Sequence, residues 1–187
     1  MGLIENKAIK TLYLFNGIFV LAASSITPIY AFFAADIGAN IFTVSLLSAA
    51  FLGSRVLFTF VLRFVGDKIH EQEYLLLAGF LIRACAWLVL PIVGTVSGLF
   101  IVQVILGLGE AAGTPALNAI FAKHLSKGHP IAEYAGWDIV STICAAIGTV
   151  VGGYIVSRYG FNVLFIAMGT LAILAFLGVL SRPRRLL

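Results

Sequence analysis

Three charged residues stand in stretches that are otherwise built for an apolar solvent: Arg55 in GSRVLF, Arg83 in LIRACA and Glu110 in GLGEAAGTPALNAIFA. A charge at the centre of a bilayer costs a few kcal/mol or more, so it has a partner or a task. A carboxylate beside a guanidinium has two uses. It can exchange its proton for charge compensation by a solute, as a proton-coupled carrier requires. It can also neutralise the arginine and fix helix register, a structural pair that adds little net stability. Both readings stay open for Glu110, Arg83 and Arg55. Asn16, Ser24, Thr27, Thr114 and Asn118 are the polar residues that could line a cavity with them. Ser24, Thr27 and Tyr30 recur at helical spacing, although Ser and Thr in membrane helices also bond their own backbone.

The elements that must position these residues follow from composition. The chain has 187 residues, 61% hydrophobic and 11% charged, and a mean hydropathy of +1.08. A soluble domain carries about 25% charged residues, so lipid and other apolar helices are the solvent here. At roughly 20 apolar residues per crossing, six segments qualify: about 11–36, 41–65, 74–95, 98–122, 134–157 and 161–181. The fold expected is all-α, one six-helix transmembrane domain over 1–187. The opening MGLIENKAIK does not read as a cleavable signal, because the apolar run after it is too long and lacks a small-residue cleavage site.

Of the twelve basic residues, nine fall on one side of this topology: Lys7, Lys10, Arg63, Lys68, Lys123, Lys127, Arg182, Arg184 and Arg185. Only Arg158 falls on the other, which predicts a multi-pass protein of the cell (inner) membrane with both termini cytoplasmic. The basic residues are spread among loops, so nucleic acid is not an expected partner. Cys85 and Cys144 lie in apolar segments and read as small hydrophobes rather than a disulfide or metal site. No cofactor or metal centre is expected. No His lies inside a span and Ser97 falls in a loop, so intramembrane protease and metal-enzyme chemistry find no constellation.

Spans one and four share a local pattern. SSITPIYAFFA and AAGTPALNAIFA align Thr27-Pro28 with Thr114-Pro115, and three intervening helices make the copies cross in opposite senses. Inverted three-helix repeats with Pro- or Gly-interrupted helices are a transporter device, which gives repeats over about 11–95 and 98–181. Span three and span four place Arg83 and Glu110 within a few Å of one depth, with Arg55 slightly removed.

These residues resemble one half of a major facilitator superfamily transporter. Gly107-x-Gly109-Glu110-Ala111 with Pro115 is similar to the fourth-helix pattern of that superfamily. Gly148-x-x-x-Gly152-Gly153, followed by Arg158-Tyr159-Gly160-Phe161-x-x-x-Phe165, is similar to its fifth helix, outer turn and sixth-helix start. Asp67-Lys68 fall where the signature loop that locks the gate belongs. The departures are Arg63 at that motif's first Gly, His70, Glu71 and Gln72 at its end, Gln103 at a usual Arg, and Phe161-Asn162 for Trp-Arg. The resemblance implies that span four faces a cavity and that two six-helix halves meet through spans two and five. Their small residues, Ala49 and Gly53 on one and Gly148 and Gly152 on the other, are then the interface, although packing within one bundle would use the same glycines.

The function implied is a half-size secondary transporter of a small organic solute, a homodimer working by alternating access and proton-coupled through Glu110. A dimer would hold the three charges twice, a formal +2 that favours an anionic or zwitterionic solute. The initial Met and basic tail fit a complete chain. The alternatives are the N-terminal half of a twelve-helix carrier, paired with a second six-helix half, and a non-transporting membrane subunit of the same fold.

Overall fold

A computed structural model describes residues 7–66, 71–125 and 130–181. The expected gate residues Asp67 and Lys68 lie outside the described residues, as do His70, Lys127, His129, Arg182, Arg184 and Arg185. The described chain is helical: α1 (Lys7–Ser24), α2 (Tyr30–Asp36), α3 (Ile41–Val65), α4 (Gln72–Val89), α5 (Val96–Lys123), α6 (Pro130–Tyr159) and α7 (Phe161–Leu180), with a 3-10 turn, Leu90–Ile92, prolonging α4. Five of these, α3 to α7, are long and apolar enough to cross a membrane. The 30 residues of α6 reach about 45 Å, more than a bilayer core.

The first span departs from a single helix over 11–36. It breaks between Ser24 and Tyr30, where Ser25, Thr27 and Ile29 donate to carbonyls three residues back at 3.0–3.3 Å. Pro28 has no N–H to continue an α-helical ladder. The matching Pro115 lies inside an unbroken α5, so equal dipeptides give unequal backbones. Two helix starts are capped by the side chain before them: Asn40 Oδ1 accepts from Thr43 N at 2.8 Å, and Thr95 Oγ1 from Gly98 N at 3.1 Å. The tight turn between α6 and α7 rests on Gly160, at φ +82°, a conformation that costs a residue with a Cβ.

The packing runs in the order α3, α5, α4, α7, α1, α6, each helix lying against the next. The middle members carry the core, including Leu76, Phe80, Trp87, Phe165 and Met168. The two end members are left bare. Only 11% of the apolar window of α3 and of α6 is buried, against 44% for α4 and α5.

This order corrects half of the expected interface. Gly148 and Gly152 are buried and lie on the backbone carbonyls of Leu21 in α1 and of Ser25 just after it. They join two helices of one chain. Ala49 and Gly53 do lie on the uncovered side of α3, with nothing near the missing Cβ of Gly53. Cys85 is exposed rather than buried, whereas Cys144 packs over Gly17.

Candidate functional site

The run Gly107-x-Gly109-Glu110-x-x-Gly113 builds the centre of the molecule one residue at a time. Gly107 lies on α3, where a Cβ would collide with Ser54 Oγ and the Phe51 carbonyl. Gly109 leaves room for the stem of Arg83, whose Cγ would stand 2.6 Å from a Cβ there. Gly113 faces Gly79 of α4, whose own Cβ would fall 2.6 Å from the Gly113 Cα. The small residues let α5 approach both neighbours at backbone distance, and Glu110 is thereby carried against Arg83.

Arg83 Nη1 and Glu110 Oε2 are 2.5 Å apart, with side chains 16% and 19% exposed. The other carboxylate oxygen, Oε1, accepts from Thr114 Oγ1 at 2.7 Å. The guanidinium carbon lies 4.2 Å from the ring centroid of Phe19 and 5.6 Å from that of Trp87. Such ring faces stabilise a partly desolvated cation by about 1 kcal/mol. Phe19 belongs to α1, so the charge pair ties three helices.

Two cavities flank the pair along the membrane normal. One, of about 320 Å³, is walled by Thr27, Tyr30, Phe51, Arg83, Trp87 and Gln103 among others. It uses the later part of α4 and the first half of α5. The other, of about 920 Å³, uses the start of α4 and the second half of α5. Its polar wall is Arg55, Thr59, Arg63, Gln72, Thr114 and Asn118. Arg55 is close enough to Arg83 for the two charges to repel.

Of the residues expected at a cavity, Arg55, Thr114 and Asn118 line the larger and Thr27 and Arg83 the smaller. Glu110 stands between them. Asn16 and Ser24 line neither: Asn16 is buried in α1, and Ser24 presents its carbonyl to Thr149 Oγ1 at 3.4 Å. Ser24 thus sits in the contact with α6 instead. Sequence reasoning missed the ring stack on Arg83, since Phe19 and Trp87 are far apart in the chain. It also missed Arg63 and Thr59, although their spacing from Arg55 along α3 puts all three on one helix face. Trp137 packs its ring 5.7 Å from Tyr13.

Comparison with known proteins adds the family. The sequence model of the Major Facilitator Superfamily matches residues 12–186. The chain belongs to that superfamily. It is 25% identical over 159 residues to the multi-drug resistance efflux pump PmrA of Streptococcus pneumoniae serotype 4 (strain ATCC BAA-334 / TIGR4), and equally to that of strain ATCC BAA-255 / R6. The match takes in 83% of this chain and 40% of each pump, so the chain spans less than half the length of these relatives. Superfamily members are multi-pass membrane transporters of small solutes rather than enzymes, and the apolar helices described above agree with that class.

Proposed function

We propose that the chain is one six-helix half of a secondary transporter for a small organic solute, working by alternating access against a second half that is another copy of the same chain. The observation that carries this reading is the Arg83–Glu110 pair held between two cavities, one on each side of its depth. A charged gate between opposing vestibules is what alternating access needs. Protonation of Glu110 would release Arg83 from its partner, and a solute or a second proton site would then take up the charge. Proton coupling through Glu110 is therefore part of the proposal.

Other features support it. Exchanging α1 with α5, α3 with α6 and α4 with α7 leaves the packing order α3, α5, α4, α7, α1, α6 reversed onto itself. This is the pattern expected of an inverted 3+3 repeat with halves at about 11–95 and 98–181. The bare faces of α3 and α6 are the surfaces a second half would cover, with Ala49 and Gly53 at the contact. The distribution of Lys and Arg supports cytoplasmic termini in the cell (inner) membrane. The efflux pumps that the chain resembles favour organic solutes as cargo.

The test is the native mass of the purified chain in lipid nanodiscs, followed by solute-induced proton currents over a panel of organic acids. A stable dimer with currents lost in Glu110→Gln is expected. A strict monomer overturns the paired copy, and currents that survive Glu110→Gln overturn the coupling role.

A further inference from the structure

The larger cavity has a charge that none of the described residues lining it balances. Among the described residues Glu110 is the one carboxylate at this depth, and both of its oxygens are engaged, by Arg83 and by Thr114. Arg55 has no ion-pair partner among the described residues, and none of those lining its cavity is acidic. An unpaired guanidinium well inside a membrane span is costly unless a counter-charge arrives from outside the chain. The apolar part of the wall is continuous beside it, with Leu52, Val56 and Phe60 on α3 and Pro115 on α5. From Arg55 to Gly66 the groove follows eleven residues of α3, about 16 Å. Its second cation, the exposed Arg63, stands near the far end.

We infer that this groove binds an elongated organic anion, a solute with a single acid group on an apolar body, and that Arg55 receives the acid group. This rests on the transporter reading and names its substrate class. The volume of about 920 Å³ suits a ligand of drug or medium-chain size. Thr114 and Asn118 offer further hydrogen-bond donors beside the acid, and the body lies along Val56, Phe60 and Pro115. Arg63 at the mouth draws the anion in without holding it, as a partly solvated charge does. An organic cation meets two arginines and no carboxylate among the described lining residues, so the groove selects against it. A resident bilayer phospholipid would offer the same headgroup charge; the occupant proposed is a solute.

The experiment uses the full chain in phosphatidylcholine nanodiscs and two fluorescent probes, 11-(dansylamino)undecanoate and its methyl ester. They share one body and differ in charge. The acid is expected to bind at least tenfold tighter than the ester. Arg55→Gln should weaken the acid tenfold or more and leave the ester unchanged, which also reports that the variant is folded. Arg55→Lys should stay within about threefold, and Arg63→Gln should lower the association rate more than the affinity. Equal binding of acid and ester, no saturable binding of either, or an acid affinity untouched by Arg55→Gln overturns the proposal. Loss of acid binding when phosphatidylglycerol replaces phosphatidylcholine assigns the groove to lipid and overturns it as well. Binding that survives every arm without transport into vesicles would defeat the transporter reading and leave the anion site standing. Transport of other solutes by Arg55→Gln at full rate would do the reverse.

Discussion

Where α1 ends against α6, Gly148 and Gly152 lie on the carbonyls of Leu21 and Ser25. At the centre of the α3–α5 contact, Gly107 lies on the carbonyl of Phe51. Both pairs thus cross at backbone distance, and they part company towards the end where α1 begins and α3 and α5 finish. There the α1–α6 side is filled. The Tyr13 hydroxyl donates to the Glu133 carbonyl at 2.5 Å, and its ring lies 6.1 Å from Phe121 and 5.7 Å from Trp137. The α3–α5 side is empty, and Arg55 and Arg63 border the space, with Phe60 the one aromatic ring among the described lining residues. The same crossing therefore makes a sealed contact or a vestibule according to the two turns that follow it. Small residues set how closely helices meet, while the residues beyond decide whether the gap is packed or left for a ligand.

The largest test of this contrast removes the charge that the filled side lacks. Arg83→Leu leaves Glu110 with only Thr114 as a partner, and breaking a buried pair from one side costs about 3–5 kcal/mol. The double variant Arg83→Leu/Glu110→Leu should recover most of that loss, because it leaves no orphaned charge. Unfolding titrations in mixed micelles would read both. A single variant within about 1 kcal/mol of the parent, the cost of an ordinary hydrogen bond, would mean that the pair holds nothing.

A smaller effect is expected at the glycines. Gly148→Ala puts a methyl group into the Leu21 carbonyl, and overpacking of this kind costs about 1–3 kcal/mol. Gly153→Ala, one residue beyond Gly152 but facing open space, should shift the thermal midpoint little. If the two alanine variants melt together, the α1–α6 crossing is not as close as its carbonyl contacts require. Gly148 and Gly153 are alike in sequence context, and only the neighbouring helix tells them apart.

That is where sequence reading stopped. The apolar runs located five spans, α3 to α7, to within a few residues, because length and hydropathy are local properties, while the first, expected as one helix over 11–36, is broken. The depth of Arg83 and Glu110 followed from counting residues along adjacent helices. What remained hidden depends on helix rotation. Gly148 and Gly152 belong to a small-residue pattern that suits an outer interface and an inner contact equally, and the choice falls to α1, whose sequence is remote. Asn16 and Ser24 looked like cavity residues by polarity, but Asn16 is buried in α1 and Ser24 meets Thr149 of α6. Thr27-Pro28 and Thr114-Pro115 looked equivalent, yet one threonine bonds the Ala23 carbonyl at 3.3 Å and the other a carboxylate. In the second case the helix continues unbroken through the proline.

The smallest effect concerns the seal itself. Tyr13→Phe keeps the aromatic ring among Phe121, Trp137 and the neighbouring Tyr134 and removes only the hydroxyl. The Glu133 carbonyl lies in the first turn of α6 and can still accept within its helix, so the loss should be about 0.5–1 kcal/mol, the lower part of the range for one hydrogen bond. Global stability would register this weakly. Hydrogen exchange should register it locally, as faster exchange of amides near 133–140 with those of α3 near 55–65 unchanged. Acceleration on the α3 side instead would mean that the two ends are coupled, and that the aromatic seal helps to set the width of the arginine-lined vestibule. In that case the filled and empty sides would be two positions of one element rather than two independent designs.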